Sequence, residues 1–191
     1  MEFKKLVSGF DMEIKGLKDF DSIPPVEEDG KTFEHNAYKK AFQNAKFLGH
    51  PALADYSGLI VDALERRPSI HPARYAGERA TDEQNNRKIL TSLNGIQNRK
   101  AKFVCVITIA LPTVPSLTYE GRCDGEITRA PVGKNGFGYD PIFYYRPLNK
   151  TFAQMLPEEK NEISHRGKAM AALRSDFERV MMWLHSYGAQ Q

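Results

Sequence analysis

Residues 101–112, AKFVCVITIALP, carry the strongest strand pattern in the chain, and LTYEGRCDGEIT follows at 117–128 across the Pro112–Ser116 turn. A β-branched, largely apolar run of this kind fits a buried strand, and two such runs joined by a short polar turn predict an antiparallel pair. A domain built around that pair must cover both faces, so the remaining segments are expected to supply helices. With 191 residues, the chain is long enough for one domain, or two lobes sharing a core, and is taken as a single domain over 1–191. No apolar run approaches the roughly 20 residues that cross a bilayer, so no membrane partner is expected. The opening MEFKKLVSGF lacks the apolar core of a signal peptide, which makes the cytoplasm the expected compartment.

The flanking segments read as an α/β plan. Residues 1–9 resemble the tail of an amphipathic helix, with Phe3, Leu6 and Val7 on one side. MEIKGL at 12–17 alternates weakly and is a candidate strand, and Asp19 to Gly30 reads as loop. Thr32 can cap a helix running to about Leu48. ALADY (52–56) and LIVDAL (59–64) are strand-like and separated by Ser57-Gly58. Thr81 with Gln84 forms a capping-box pattern for a helix ending near Gly95. A last helix is predicted from Ser164 to just before Gly188, with Met170, Leu173, Phe177, Val180 and Leu184 at helical spacing.

Charge narrows the partners. The balance is 27 basic against 24 acidic residues, a net +3 without a clustered basic block, which argues against nucleic acid while leaving room for a small anion. Two cysteines, Cys105 and Cys123, make a poor metal signature and a thin disulfide framework.

Three segments hold polar groups that a core does not need. In GKNGFGYDP (133–141), closely spaced glycines allow a tight turn or close approach to a ligand. Phe137 and Tyr139 could stack on a flat ring and Asp140 could accept from ring N–H groups; a β-turn with inward aromatics fits the same residues. In EEKNEISHRGKA (158–169), Ser164 as N-cap puts His165, Arg166 and Lys168 in the first helical turn, where cations oppose the helix dipole unless an anion is near. Lys160 would add a fourth positive group. A phosphate or a base edge would explain this arrangement, as would a solvated helix start. ADYSGL (54–59) with HPARYAG (71–77) could form a cleft floor.

In this order the segments resemble the inosine/xanthosine triphosphate pyrophosphatase family. The matching stretches are GKTFEHNAYKKA (30–41), ADYSGLIVDAL (54–64), PARYAG (72–77), GFGYDPIF (136–143) and TFAQMLPEEKNEISHRGKA (151–169). The resemblance implies an elongated, two-lobed α/β fold around a long mixed sheet with flanking helices and a cleft between the lobes, usually as a homodimer. It implies cleavage of deaminated purine nucleoside triphosphates to monophosphate and diphosphate. Base and phosphate binding would fall to Ser57, Gly58, Phe137, Gly138, Tyr139, Asp140, Lys160, His165 and Arg166, with Mg²⁺ as cofactor.

The sequence departs from the family pattern around one place. The N-terminal strand and the Ser/Thr-x-Asn-x-x-Lys phosphate loop are not found ahead of Met1-Glu2-Phe3. His35 stands where the family carries a metal-binding Glu, and Tyr56 stands where it carries the catalytic, metal-binding Asp. Tyr56 is therefore the substituted catalytic and metal position. A phenol with a pKa near 10 is a poor general base at neutral pH. Glu34, Asp55 and Asp62 are the neighbouring carboxylates; Asp55 should point to the sheet face opposite Tyr56, and Glu34 lies about 100° around its helix from His35. Three readings follow: a pyrophosphatase with a rebuilt site that uses Asp55 or Glu34; a purine nucleotide-binding protein without catalysis, paired with a partner protein; or a metal-independent enzyme using His35 and Tyr56 on a smaller nucleotide. A second copy, or a rearranged N-terminus, is expected to cover the apolar face near the chain start.

Overall fold

Strand β2 (Lys100–Ala110) is buried along almost its whole length, and β3 (Leu117–Ile127) alternates exposed and buried residues beside it. A computed structural model describes residues 12–69, 72–113 and 116–188. The expected pair is antiparallel, with Cys105 opposite Gly121, while β1 (Ala52–Val61) lies along the other edge of β2 with Ser57 opposite Cys105. Two short strands, β4 (Phe143–Tyr145) and β5 (Lys150–Thr151), extend the sheet in the order β1-β2-β3-β4-β5. All four pairings are antiparallel, so among the described residues the sheet is antiparallel where the resemblance implied a mixed one. The α/β class holds. The apolar character of β2 on both sides reflects helices above and below it, not parallel pairing.

Helix α1 (Phe33–Leu48) covers one face, with Ala37 packed among Tyr56, Ile60, Val104 and Val106, and Ala41 and Ala45 against Ala110. Small residues on this stripe let the helix lie close to the strands. Thr32 caps it as expected, accepting from the His35 N–H at 3.0 Å, and Gly49 ends it at φ +67°. Helices α4 (His165–Ser175) and α5 (Phe177–Gly188) cover the opposite face through Leu173, Phe177 and Val180 over Cys105, Ile107 and Ile109. A second core gathers at the far end of β2 and β3, where Phe103, Cys123 and Ile127 meet Phe143, Phe152 and Met155. Ile89 and Leu93 join it from the region of α2 (Asp82–Ser92), whose Thr81–Gln84 capping box is formed in both directions. Helix α3 (Pro157–Ile163) leads into α4.

Several expectations change. The 52–64 region is one strand running through Ser57-Gly58, followed by a 3-10 turn over Asp62–Leu64. Gly58 does not break the strand; it admits neighbours, since a Cβ there would overlap the Ser69 carbonyl oxygen and the Phe33 ring. The predicted last helix is two helices parted at Asp176, whose carboxylate accepts from the Tyr119 hydroxyl at 2.6 Å and pairs with Arg179 at 2.8 Å. Residues 12–17 form no strand: Met12 and Ile14 pack beside the α4–α5 core without a ladder partner among the described residues. The expected helix over 1–9 and part of the 112–116 turn lie outside the described residues.

Close approach of α4 to β3 sets the position of the helix start. A Cβ at Gly121 would overlap the His165 carbonyl oxygen and the Ala169 nitrogen, both backbone atoms that cannot rotate away. Gly121→Ala should therefore destabilise the fold by about 1–3 kcal/mol, the usual range for overpacking. Urea denaturation checks this, with the midpoint moving and the slope unchanged.

Candidate functional site

One cleft has a volume of about 390 Å³ and is lined by β1 at Ser57-Gly58, by Pro72-Ala73, by the Phe137–Asp140 loop, by Lys160 and by the start of α4. The loop is built by its glycines and one carboxylate. Gly136 and Gly138 have φ of +76° and +61°, a region costly for side-chain-bearing residues. Asp140 turns back so that its Oδ2 accepts from the Phe137 N–H at 2.9 Å and from Lys160 Nζ at 2.5 Å. Asp140 is buried, so the Lys160 ammonium is the charge that makes its burial tolerable. Lys160 also sits 5.0 Å from the Phe137 ring centroid and 5.4 Å from that of Phe152. Phe137 itself is 71% exposed, an unusual state for a phenylalanine held this firmly at its backbone. Tyr139 points inward instead, and its hydroxyl donates to the Pro72 carbonyl at 2.5 Å.

At the other wall, Ser164 caps α4 by accepting from the Gly167 N–H at 3.0 Å. The His165 imidazole stacks on Phe103 with centroids 4.6 Å apart and planes 11° from parallel. Burial pushes its pKa down to about 3, and the nearby Lys160 and Arg166 cations add to the effect. The dipole conflict expected at this helix start is thus largely removed. His165 is neutral, Arg166 forms an ion pair with Asp55, and Lys168 donates to the Arg122 carbonyl at 2.9 Å. Among the described residues, the buried Ser57 Oγ and His165 Nδ1 of this cleft have no hydrogen-bond partner.

The sheet's pleat separates the expected residues into two groups. Ser57, Gly58, Phe137, Gly138, Tyr139, Asp140, Lys160, His165 and Arg166 converge on one cleft, and Asp55 reaches it through Arg166. Tyr56 faces α1, packed against Phe33 with ring centroids 6.2 Å apart and with Lys40 Nζ 5.7 Å from its ring. Its phenol is pushed up to about 12, first by burial and then by Glu28, with Arg74 opposing. His35 and Glu34 are exposed on the first turn of α1, and Asp62 lies beyond the end of β1.

Residues 1–176 match the Ham1 family. The chain belongs to that family. A dITP/XTP pyrophosphatase of Syntrophobacter fumaroxidans is 52% identical over 190 residues, covering 100% of this chain and 82% of the relative. One from Geobacillus kaustophilus is 46% identical over 182 residues, covering 94% and 89%. Among solved structures, a HAM1 protein from Coxiella burnetii superposes with a TM-score of 0.88 at 42% identity, covering 93% of this chain and 92% of that one. A nucleoside-triphosphatase / dITP/XTP pyrophosphatase from Mycobacterium abscessus gives 0.78 at 41% identity, with 90% of each chain covered.

For this Ham1 chain, the Mg²⁺ that the sequence resemblance implies does not fit the side chains present around Tyr56. Mg²⁺ favours octahedral oxygen ligation, largely from carboxylates, phosphates and water. Here the phenol stays protonated, Glu28 pairs with Lys40 at 3.1 Å, and Asp55 is turned to the other face. Among the described residues no three His, Cys, Asp or Glu side chains gather as a metal site. Sequence reasoning missed Glu28, Lys40, Phe103, Asp82 and Asn85. Glu28 sits in a loop without periodicity, Lys40 is one of several polar residues within α1, Phe103 looks like any strand residue, and the last two look like ordinary helix-start residues.

The His165 environment has a measurable consequence. A histidine with a lowered folded pKa binds its proton more readily in the unfolded chain, so its contribution is constant above about pH 6.5 and is lost as pH falls toward 3. Its ring resonances should show no titration from pH 5 to 8 by NMR. His165→Gln should flatten the decline of unfolding free energy between pH 6.5 and 4.

Proposed function

We propose that the cleft takes the purine of a deaminated purine nucleotide, and that the chain acts as a nucleoside triphosphate pyrophosphatase releasing monophosphate and diphosphate. The observation that carries this reading is the exposed Phe137 ring fixed beside Lys160, within a cleft that also holds the unpartnered Ser57 Oγ and His165 Nδ1. An exposed aromatic face is a platform for a base, and stacking of this kind contributes about 1–3 kcal/mol. The ammonium of Lys160 and the guanidinium of Arg166 offer donors only. They suit the 6-oxo group of hypoxanthine or xanthine and meet the amino group of adenine donor against donor. Neutral His165 offers one donor and one acceptor, which suits a ring edge carrying both N–H and C=O.

In the reaction, water attacks the α-phosphorus, the bond to the bridging oxygen breaks, and diphosphate leaves while the water proton passes to a base. This chain's residues account for holding the base and for orienting Arg166 through Asp55. Tyr56 cannot take the water proton at neutral pH, because its phenol is already protonated with a pKa near 12. That observation favours a second reading, purine nucleotide binding without hydrolysis.

Diphosphate release from inosine, xanthosine and adenosine triphosphates with Mg²⁺, beside calorimetry with inosine monophosphate, separates the two. Turnover of the first two over adenosine triphosphate supports the enzyme, binding without turnover selects the second reading, and binding of none overturns both. Phe137→Ala should weaken inosine monophosphate by roughly tenfold or more through loss of stacking. Unchanged affinity would remove Phe137 from the site.

A further inference from the structure

Helix α2 begins with three polar side chains that reach sideways to other segments. Asn85 accepts from the Ala76 N–H at 2.7 Å and donates to the Ala73 carbonyl at 3.0 Å. Asp82 Oδ2 accepts from the Gly138 N–H at 2.6 Å, and Asn86 Nδ2 donates to the Gly138 carbonyl at 3.0 Å. Gly138 is thus gripped at both its backbone groups by a helix turn 56 and 52 residues away in the chain. The Ala73 and Gly138 segments both line the cleft, so one and a half turns of α2 tie its two loops together.

The energetics of Asn86 show what the grip is for. Asn86 is buried and, among the described residues, its Oδ1 has no hydrogen-bond partner. An orphaned buried acceptor is destabilising. Alanine would avoid that cost and favours a helix more strongly. What asparagine adds is the bond to Gly138. That glycine, at φ +61°, sits next to the exposed Phe137, and a left-handed glycine left to itself has wide backbone freedom. Fixing both its N–H and its C=O selects one backbone orientation and with it one direction for the Phe137 ring.

We propose that Asp82 and Asn86 are positioning residues that set the Phe137 platform against Lys160, so that α2, which carries no ring of the platform itself, tunes base recognition. This rests on the base-binding reading above. Asn86 is the residue to test, because it removes an orphan when truncated and so need not destabilise the fold.

In Asn86→Ala, amide hydrogen exchange at Phe137 and Gly138 should accelerate about tenfold while the amides of β2 stay protected, as expected for loss of one net hydrogen bond. Affinity for inosine monophosphate should fall roughly five- to tenfold. Affinity for ribose 5-phosphate, which has no ring to stack, should not change. Asn86→Leu, close to the same shape without the donor, should behave alike, whereas a packing role would leave it near native. Unchanged exchange at Gly138 in a folded variant overturns the proposal. So does a parallel loss of both ligands, or unfolding of both variants, which would make Asn86 a core residue. If the native chain binds neither ligand, the base-binding reading falls, and the exchange result alone then decides whether the grip exists.

Discussion

The Asp140 carboxylate is buried between a backbone N–H and a lysine, and the architecture of the cleft is arranged around it. A lone carboxylate in that place would be an unpaired buried charge, so its burial requires the Lys160 ammonium 2.5 Å away. Lys160 stands on α3, after β4 and β5, and can reach Asp140 only when the second core of Phe103, Phe143 and Phe152 has formed. Phe103 and Phe152 stack with planes 7° apart, and Phe152 is one of the two rings that face Lys160. Apolar packing and the ion pair thus place each other. The same carboxylate holds the Phe137 N–H and occupies the space a side chain at Gly136 would need. One charge links loop conformation, lysine position and aromatic platform.

Strand β1 divides the chemistry between two environments. Asp55 and Ser57 face α4, where a guanidinium and an imidazole wait; Tyr56 between them faces α1, among Ala37, Val104 and Val106. A carboxylate on the α1 side would be drawn into an environment with Lys40, Arg74 and Asn36 within electrostatic reach, but the residue there is a phenol that stays neutral. The site therefore combines a polar, cationic cleft on one face with a neutral residue on the other. That asymmetry underlies the proposal of base binding apart from hydrolysis.

Much of the architecture was legible because it depends on local chemistry. The caps at Thr32, Thr81 and Ser164 need only residues three positions away, and all three form as read. The β2–β3 pair follows from two apolar runs and a short turn. The misread places involve remote partners. Ser57-Gly58 looks like a break until Phe33 and Ser69 are seen to need the empty space, and the final helix looks continuous until Tyr119, on β3, hydrogen-bonds Asp176.

For the site, residue types and spacing made Phe137, Lys160, His165 and Arg166 candidates, with an ordinary turn or a solvated helix start fitting equally well; the structure places all four around one cleft. Alternation along a strand was also enough to separate Asp55 from Tyr56, since the pleat is a property of the backbone. The protonation of His165, the pairing of Asp55 with Arg166 and the grip of α2 on Gly138 were decided only by the tertiary structure. Each depends on burial or on partners far away in the chain, 111 residues in the case of Asp55 and Arg166. Sequence fixes which groups are available and which way they point locally; tertiary packing determines which of them meet and in what charge state.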